Sequence, residues 1–257
     1  MRTRTILGLF AHPDDESMGP GATLAKYAAA GHRVAVVTAT SGGAGRLFRE
    51  RPPDAEGRAE LERVRREETR AAAAILGIEH LGFLGWPDGG LRGLDILEIE
   101  EEFAAIIRRE RPDVVITFHG SGISYHPDHR VVTLATVGAF QGAGHADWYP
   151  DGPLRELAPH APERLYLYTP FRRSIVPDWP RRVYPADDAE ITTVIDTAAF
   201  ADTKWAAICA HASQQFGPPF RALYDAGLFT EEHFVRFPER PVGAGRGEHE
   251  TELWTDA

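Results

Sequence analysis

Two rhythms of apolar residues alternate along the chain. Runs with almost no polar interruption, at residues 5–10 (Thr-Ile-Leu-Gly-Leu-Phe), 32–40 and 113–118, read as strands buried on both faces. Between them lie stretches with helical spacing. Residues 21–30 are Ala-rich and end at Gly31, and residues 58–76 are rich in Arg, Glu and Ala and end at Gly77. Residues 95–110 repeat Ile96, Ile99, Phe103, Ile106 and Ile107 at helical intervals, and 127–140 opens with a proline suited to a first turn. Shorter strands are predicted at 80–84, 165–169 and 191–195, and a helix at 198–212. Residues 141–162 and 170–190, rich in Pro, Gly and Asp, read as loops. The expected architecture is a Rossmann-like three-layer α/β fold, with a mostly parallel sheet and helices on both faces. It forms a single domain over residues 1–240, followed by a flexible C-terminal tail at 241–257. Ligands of such sheets bind beyond the carboxyl ends of the strands.

Composition narrows the picture a little. The 257 residues carry 28 basic and 38 acidic side chains, a formal net charge of −10. That balance argues against non-specific nucleic-acid binding, which needs a basic face. Cys209 is the single cysteine, so an intrachain disulfide is excluded and a thiolate metal site nearly so. No run has the length of a membrane span or the pattern of a signal peptide, and a cytoplasmic protein is expected. A homo-oligomer stays open.

The polar residues at the strand ends change the picture most. Directly after the first strand comes Ala11-His12-Pro13-Asp14-Asp15-Glu16. One imidazole and three carboxylates this close repel one another unless a cation lies among them. After the strand at 113–118 comes His126-Pro127-Asp128-His129, with the same His-Pro-Asp core. Both clusters fall at the sheet edge where ligands bind. The economical reading takes His12, Asp15 and one histidine of the second cluster as metal ligands. Three protein ligands leave a position open, as catalytic zinc sites do. Asp14 is then the candidate general base, and His126 the candidate to stabilise an oxyanion or protonate a leaving group. Asp128 is suited to orient an imidazole. Glu16 has no such task and is expected to support the turn.

These two motifs together resemble the PIG-L/LmbE-like family of zinc-dependent N-acetylglucosaminyl deacetylases. Weaker matches extend the resemblance over much of the chain. They are the Gly-rich loop Thr40-Ser41-Gly42-Gly43-Ala44-Gly45, Arg65 with Glu68, the loop Leu84-Gly85-Trp86-Pro87-Asp88-Gly89, and Lys204, His211, Ser213 and Gln214. The resemblance implies zinc, one per chain, on His12, Asp15 and His129. Fe²⁺ or Co²⁺ would suit the same donors. It implies Asp14 as general base and His126 as oxyanion stabiliser, with Asp128 paired to it. Arg65 and Asp88 would bind substrate. The implied reaction removes the N-acetyl group from an N-acetylglucosamine-type conjugate, a small-molecule amino-sugar partner. Two alternatives stand beside it: an amidase cleaving a larger amide such as a sugar–thiol S-conjugate, and a non-catalytic sugar-binding relative. Trp148, Tyr149 and Trp179, in the long loops, are candidates to stack on a sugar.

Overall fold

The computed structural model describes residues 2–45, 54–149, 153–172, 182–214, 217–238 and 249–254. Its centre is the sheet that the apolar runs predict. Strands β1 (Thr5–Phe10), β2 (Arg33–Thr40), β3 (His80–Trp86), β4 (Val114–Phe118) and β5 (Arg164–Thr169) lie in the order β3-β2-β1-β4-β5, all parallel. Two further strands, β6 (Thr193–Asp196) and β7 (Glu231–Phe237), complete the seven-stranded sheet. β7 runs antiparallel to β5 and to β6. The sheet is therefore mostly parallel, with an antiparallel extension on one side. Ile6, Leu7, Leu9, Val34, Val36, Val115 and Ile116 are fully buried, as strands covered on both faces require.

The helices form two layers. On one face α2 (Gly21–Ala29), α3 (Ala55–Leu76) and α7 (Ala201–Ala210) pack together through Ala25, Ala72, Leu76 and Ala207. These small side chains let the helices approach closely. On the other face α4 (Ile96–Glu110) packs against α6 (Pro127–Gly142). Short helical turns α1 (Asp15–Met18) and α5 (Gly122–Tyr125) follow β1 and β4, and α8 (Gly217–Asp225) follows α7. Asp54 and Asp95 cap α3 and α4 by accepting the Gly57 and Leu97 amides at 2.9 Å. Among the described residues no helix is long and apolar enough to cross a membrane.

The strand order reverses between β1 and β4, and this switch point positions the site. Register pairs Ile6 with Val114 and Gly8 with Ile116, so the two strands end level with each other. Thr117 Oγ1 donates to the Leu9 carbonyl at 2.8 Å, and the Phe10 and Phe118 rings meet edge-on at 5.5 Å. The segments that leave these strands, carrying His12 and His126, therefore start side by side.

Two departures from expectation concern the late part of the chain. The pattern predicts neither β7 nor α8, and both are present. The flexible tail expected over 241–257 is a packed segment at residues 249–254. Leu253 is fully buried, and Trp254 packs on Tyr27 at 4.6 Å and edge-on to His32 at 4.7 Å. Glu250 exchanges backbone bonds with Thr192 and Val194 at 2.9 Å, and its carboxylate reaches Arg236 and the Tyr166 hydroxyl. Residues 241–248 and 255–257 lie outside the described residues.

Candidate metal and catalytic centre

β1 runs out at Phe10, and the chain turns sharply through His12 and Pro13 into α1. Asp14 takes a left-handed conformation, φ 109° and ψ −22°, at the start of that turn. Asp visits this region more readily than most residues, but it still needs support. Arg65 supplies it from α3. Its Nη2 bonds to the Pro13 carbonyl and, at 2.7 Å, to Asp14 Oδ2. Its Nη1 donates to the Gly42 carbonyl at 3.0 Å. The Asp14 amide donates to Glu16 Oε2 at 3.1 Å.

The three predicted ligands converge. His12 Nδ1 lies 3.1 Å from His129 Nε2 and 3.5 Å from Asp15 Oδ2, and His129 Nε2 lies 3.3 Å from Asp15 Oδ1. Donors about 3.3 Å apart are what a tetrahedral ion with bonds of about 2.0–2.1 Å requires. Two imidazole nitrogens facing each other at 3.1 Å need a proton or a cation between them. The carboxylates of Asp15, Asp88 and Asp128 gather around His12 and His129, with Asp14 beside them on Arg65, an excess of negative charge suited to a cation. The donor set thus fits a divalent metal. His126 stands beside it, its ring edge-on to His12 at 4.8 Å and tilted to His129 at 4.9 Å. A set of nitrogens from His12, His126 and His129 could also hold an ion.

The charges respond to one another. Burial opposes charge on His12, yet hydrogen bonds to Asp128, Asp15 and Asp88 hold its pKa well above the usual histidine value. Burial pushes His129 down to about 4 against the pull of Asp15. Burial works against Asp15 as a carboxylate, but the neighbouring His129 and His12 hold it well below the usual range. Asp14 is pushed up to about 6 by burial, with Arg65 pulling the other way and Asp15 adding to the rise.

Behind the ligands lies a supporting layer, in which three of the predicted residues have protein partners. Asp128 was expected to pair with His126. Its carboxylate is fully buried and turns to His12 Nε2 at 3.3 Å, while accepting the Gly89 amide at 2.7 Å and the Leu91 amide at 3.2 Å. At the helix start His126 caps α6, and the Asp128 backbone N–H donates to His126 Nδ1 at 3.3 Å. Asp88 was expected to contact substrate. Its side chain is 8% exposed and bridges His12 Nε2 at 3.1 Å to the Ala44 amide at 2.8 Å. Burial raises its pKa and the His12 hydrogen bond lowers it, with a net fall to about 2. Arg65, also read as a substrate contact, is 3% exposed and bonds to Pro13, Asp14 and Gly42.

These contacts fix proton positions by inference. With carboxylates at His12 Nε2, a proton sits there, and Nδ1 is the nitrogen that would give its lone pair to a metal beside His129 and Asp15. With the Asp128 amide on His126 Nδ1, the His126 proton sits on Nε2.

Glu16, read as a support for the turn, is fully buried against His211 at 2.9 Å and Ser17 Oγ at 2.7 Å. Ser213 caps Glu68, its amide and hydroxyl reaching the carboxylate at 2.7 and 2.8 Å. Lys204 pairs with Glu232 at 2.6 Å. Trp148 is exposed and stacks on His145 at 4.6 Å, whereas Tyr149 is buried and donates to Glu100 at 2.8 Å. Trp179 lies outside the described residues. Sequence reasoning missed Phe118, whose ring stacks flat on His129 at 4.1 Å and fixes its plane. Its place as the last residue of β4 was the available signal.

A buried cation site, an adjacent carboxylate held by a guanidinium, and an N–H-bearing imidazole across from it can together activate water against a carbonyl. Known proteins that resemble the chain include deacetylases and an amidase. The family model "PIG-L: GlcNAc-PI de-N-acetylase" matches residues 7–140. A 1D-myo-inositol 2-acetamido-2-deoxy-alpha-D-glucopyranoside deacetylase from Thermobispora bispora is 35% identical, over 83% of this chain and 80% of the relative. A mycothiol S-conjugate amidase from Streptomyces coelicolor is 32% identical, over 81% and 82%. The solved N,N'-diacetylchitobiose deacetylase from Pyrococcus horikoshii shares the fold, with a TM-score of 0.71 and 23% identity over 91% and 84% of the two chains.

Proposed function

Because the chain belongs to the PIG-L family and is a hydrolytic enzyme of the deacetylase type, we propose that it removes the N-acetyl group from an N-acetylglucosamine-type conjugate. Zinc is the proposed metal, held by His12, Asp15 and His129. The observation that carries this reading is the meeting of those donors, within 3.1–3.5 Å, beside Asp14 and His126 at the switch point. When bound, zinc supplies Lewis acidity toward a carbonyl and a water.

The residues of the chain do the rest. Asp14, held by Arg65, takes the proton of the attacking water. His126, with its proton on Nε2, donates to the carbonyl oxygen as negative charge grows there. Asp128 and Asp88 hold the His12 ring so that Nδ1 keeps its lone pair. Delivery of a proton to the leaving amine falls to Asp14 or His126. The same donors would serve cleavage of a larger amide, a second reading favoured by the similarity to the S-conjugate amidase. Identification of the released acid separates the two.

The test is a free-amine assay on N-acetylglucosamine conjugates, with metal content measured on the same sample. Asp14→Asn is expected to keep its metal and lose about 10²–10⁴ in turnover. Asp15→Ala and His129→Ala are expected to lose the metal. A fully active Asp14→Asn enzyme would refute the mechanism.

A further inference from the structure

The segment before His126 carries unusual backbone. Gly122, Ile123 and Tyr125 stand at φ 61°, 64° and 59°. A β-branched residue in this region is a genuine outlier, and such backbones persist only where neighbours hold them. The neighbours are evident. The Tyr184 amide donates to the Ile123 carbonyl at 2.7 Å, and Ser121 Oγ donates to the Tyr184 carbonyl at 2.7 Å. The Gly122 amide donates to the His119 carbonyl at 2.7 Å, and the Tyr125 amide to Ser121 at 3.0 Å. A Cβ on Gly122 would lie 2.9 Å from Arg130 Cγ.

The outcome of this strain is where Tyr125 ends up. It is 56% exposed although it adjoins His126. The Tyr184 ring meets its ring edge-on at 4.9 Å, and the Arg130 guanidinium lies over one face of it, 5.0 Å from its centre. Arg130 makes no ion pair among the described residues, in a chain of net charge −10. Its N–H donors stay available to a ligand. Core packing does not require an exposed ring fixed in this way. Recognition does: aromatic faces with a few placed polar groups are how small-molecule sites orient a ligand.

We propose that Tyr125, backed by Tyr184 and flanked by Arg130, is the platform for the part of the substrate beyond the acetylated sugar. That part is a second hydroxyl-bearing ring, stacked on Tyr125 and hydrogen-bonded by Arg130. The proposal rests on the deacetylase reading and assigns its aglycone specificity.

Two probes test it: methyl N-acetylglucosaminide, with one ring, and N,N'-diacetylchitobiose, with two. Turnover is measured on the wild-type protein, and binding by calorimetry on Asp14→Asn. The wild type should favour the two-ring probe. Tyr125→Ala should lower the two-ring to one-ring ratio of both 1/KM and 1/Kd by about five- to tenfold. Tyr125→Phe should keep the ratio, and Arg130→Met should lower it by about threefold. A purely structural role would weaken both probes alike and leave the ratio unchanged, which overturns the proposal. Loss of the ratio in Tyr125→Phe also overturns it, because the hydroxyl rather than the ring would then matter. If neither probe is bound or deacetylated, the deacetylase reading itself fails. If both are deacetylated and Tyr125→Ala leaves the ratio intact, only the platform fails.

Discussion

Lys204→Met tests whether the antiparallel extension holds the turn that carries Asp15. Lys204 and Glu232 form a buried pair at 2.6 Å, with side chains 4% and 2% exposed. Glu232 also accepts the Ala22 and Thr23 amides at the start of α2, at 3.1 and 2.8 Å. Lys204 donates a second bond, at 2.6 Å, to the carbonyl of Gly19, which ends α1. Removing one partner of a buried pair costs about 3–5 kcal/mol, because the other charge is left uncompensated. Here the helix amides still solvate Glu232, which moves the cost to the lower end, about 3 kcal/mol. The stranded Gly19 carbonyl adds about 1 kcal/mol. The sum is a loss of about 3–4 kcal/mol, a large share of the stability of an ordinary domain. Urea unfolding followed by far-ultraviolet circular dichroism and by tryptophan fluorescence measures it, with coincident transitions as the two-state check. Adding Glu232→Gln should recover at least about 1.5 kcal/mol, since the buried charge is gone. A loss below about 1 kcal/mol, or a double variant no more stable than Lys204→Met, would refute the reasoning.

Two further outcomes are expected. Gly42→Ala places a Cβ 2.3 Å from Arg65 Nη1 at φ 76°, and so displaces the group that holds Asp14. Turnover should fall at least about tenfold while stability drops by only about 1–2 kcal/mol, read by kinetics and by the melting temperature. His211 faces Glu16 and Asp14, which raise its pKa, and Arg65, which lowers it; burial is the largest influence and also lowers it, yet the net direction is up. A raised folded value means stability that is full below the unfolded pKa of about 6.5 and lost as pH rises through the folded value. His211→Gln should flatten that decline in stability measured by urea unfolding from pH 6 to 9; an unchanged slope would show that the decline comes from elsewhere.

β1, β2 and β4 were legible because each is sheathed on both faces and admits almost no polar residue. β7 was hidden for the opposite reason. Glu232 and His233 are buried in it, satisfied by Lys204 and by Glu231, so polar residues stand where the pattern demands apolar ones. α8 opens with Gly217-Pro218-Pro219, which reads as a turn although proline suits a first helical turn. The candidate site was legible as two clusters, since its proposed ligands sit in short motifs at strand ends. The direction of Arg65, Asp88 and Asp128 was not. Motifs tell which residues gather, but which neighbour a carboxylate faces depends on the packing of α3, on the loop after β3 and on the cap of α6.

The packing of residues 249–254 has a consequence for synthesis. Leu253 and Trp254 close a part of the core formed by Tyr27 and His32, with Arg4 over the Trp254 ring at 5.3 Å. Those partners leave the ribosome well before their cover is translated. Domains form from their N-terminal parts while synthesis continues. The nascent chain must therefore carry an open apolar seam until residues 249–254 arrive. A translation product truncated before residue 249 would display that seam permanently, giving chaperones and proteases a means to recognise it.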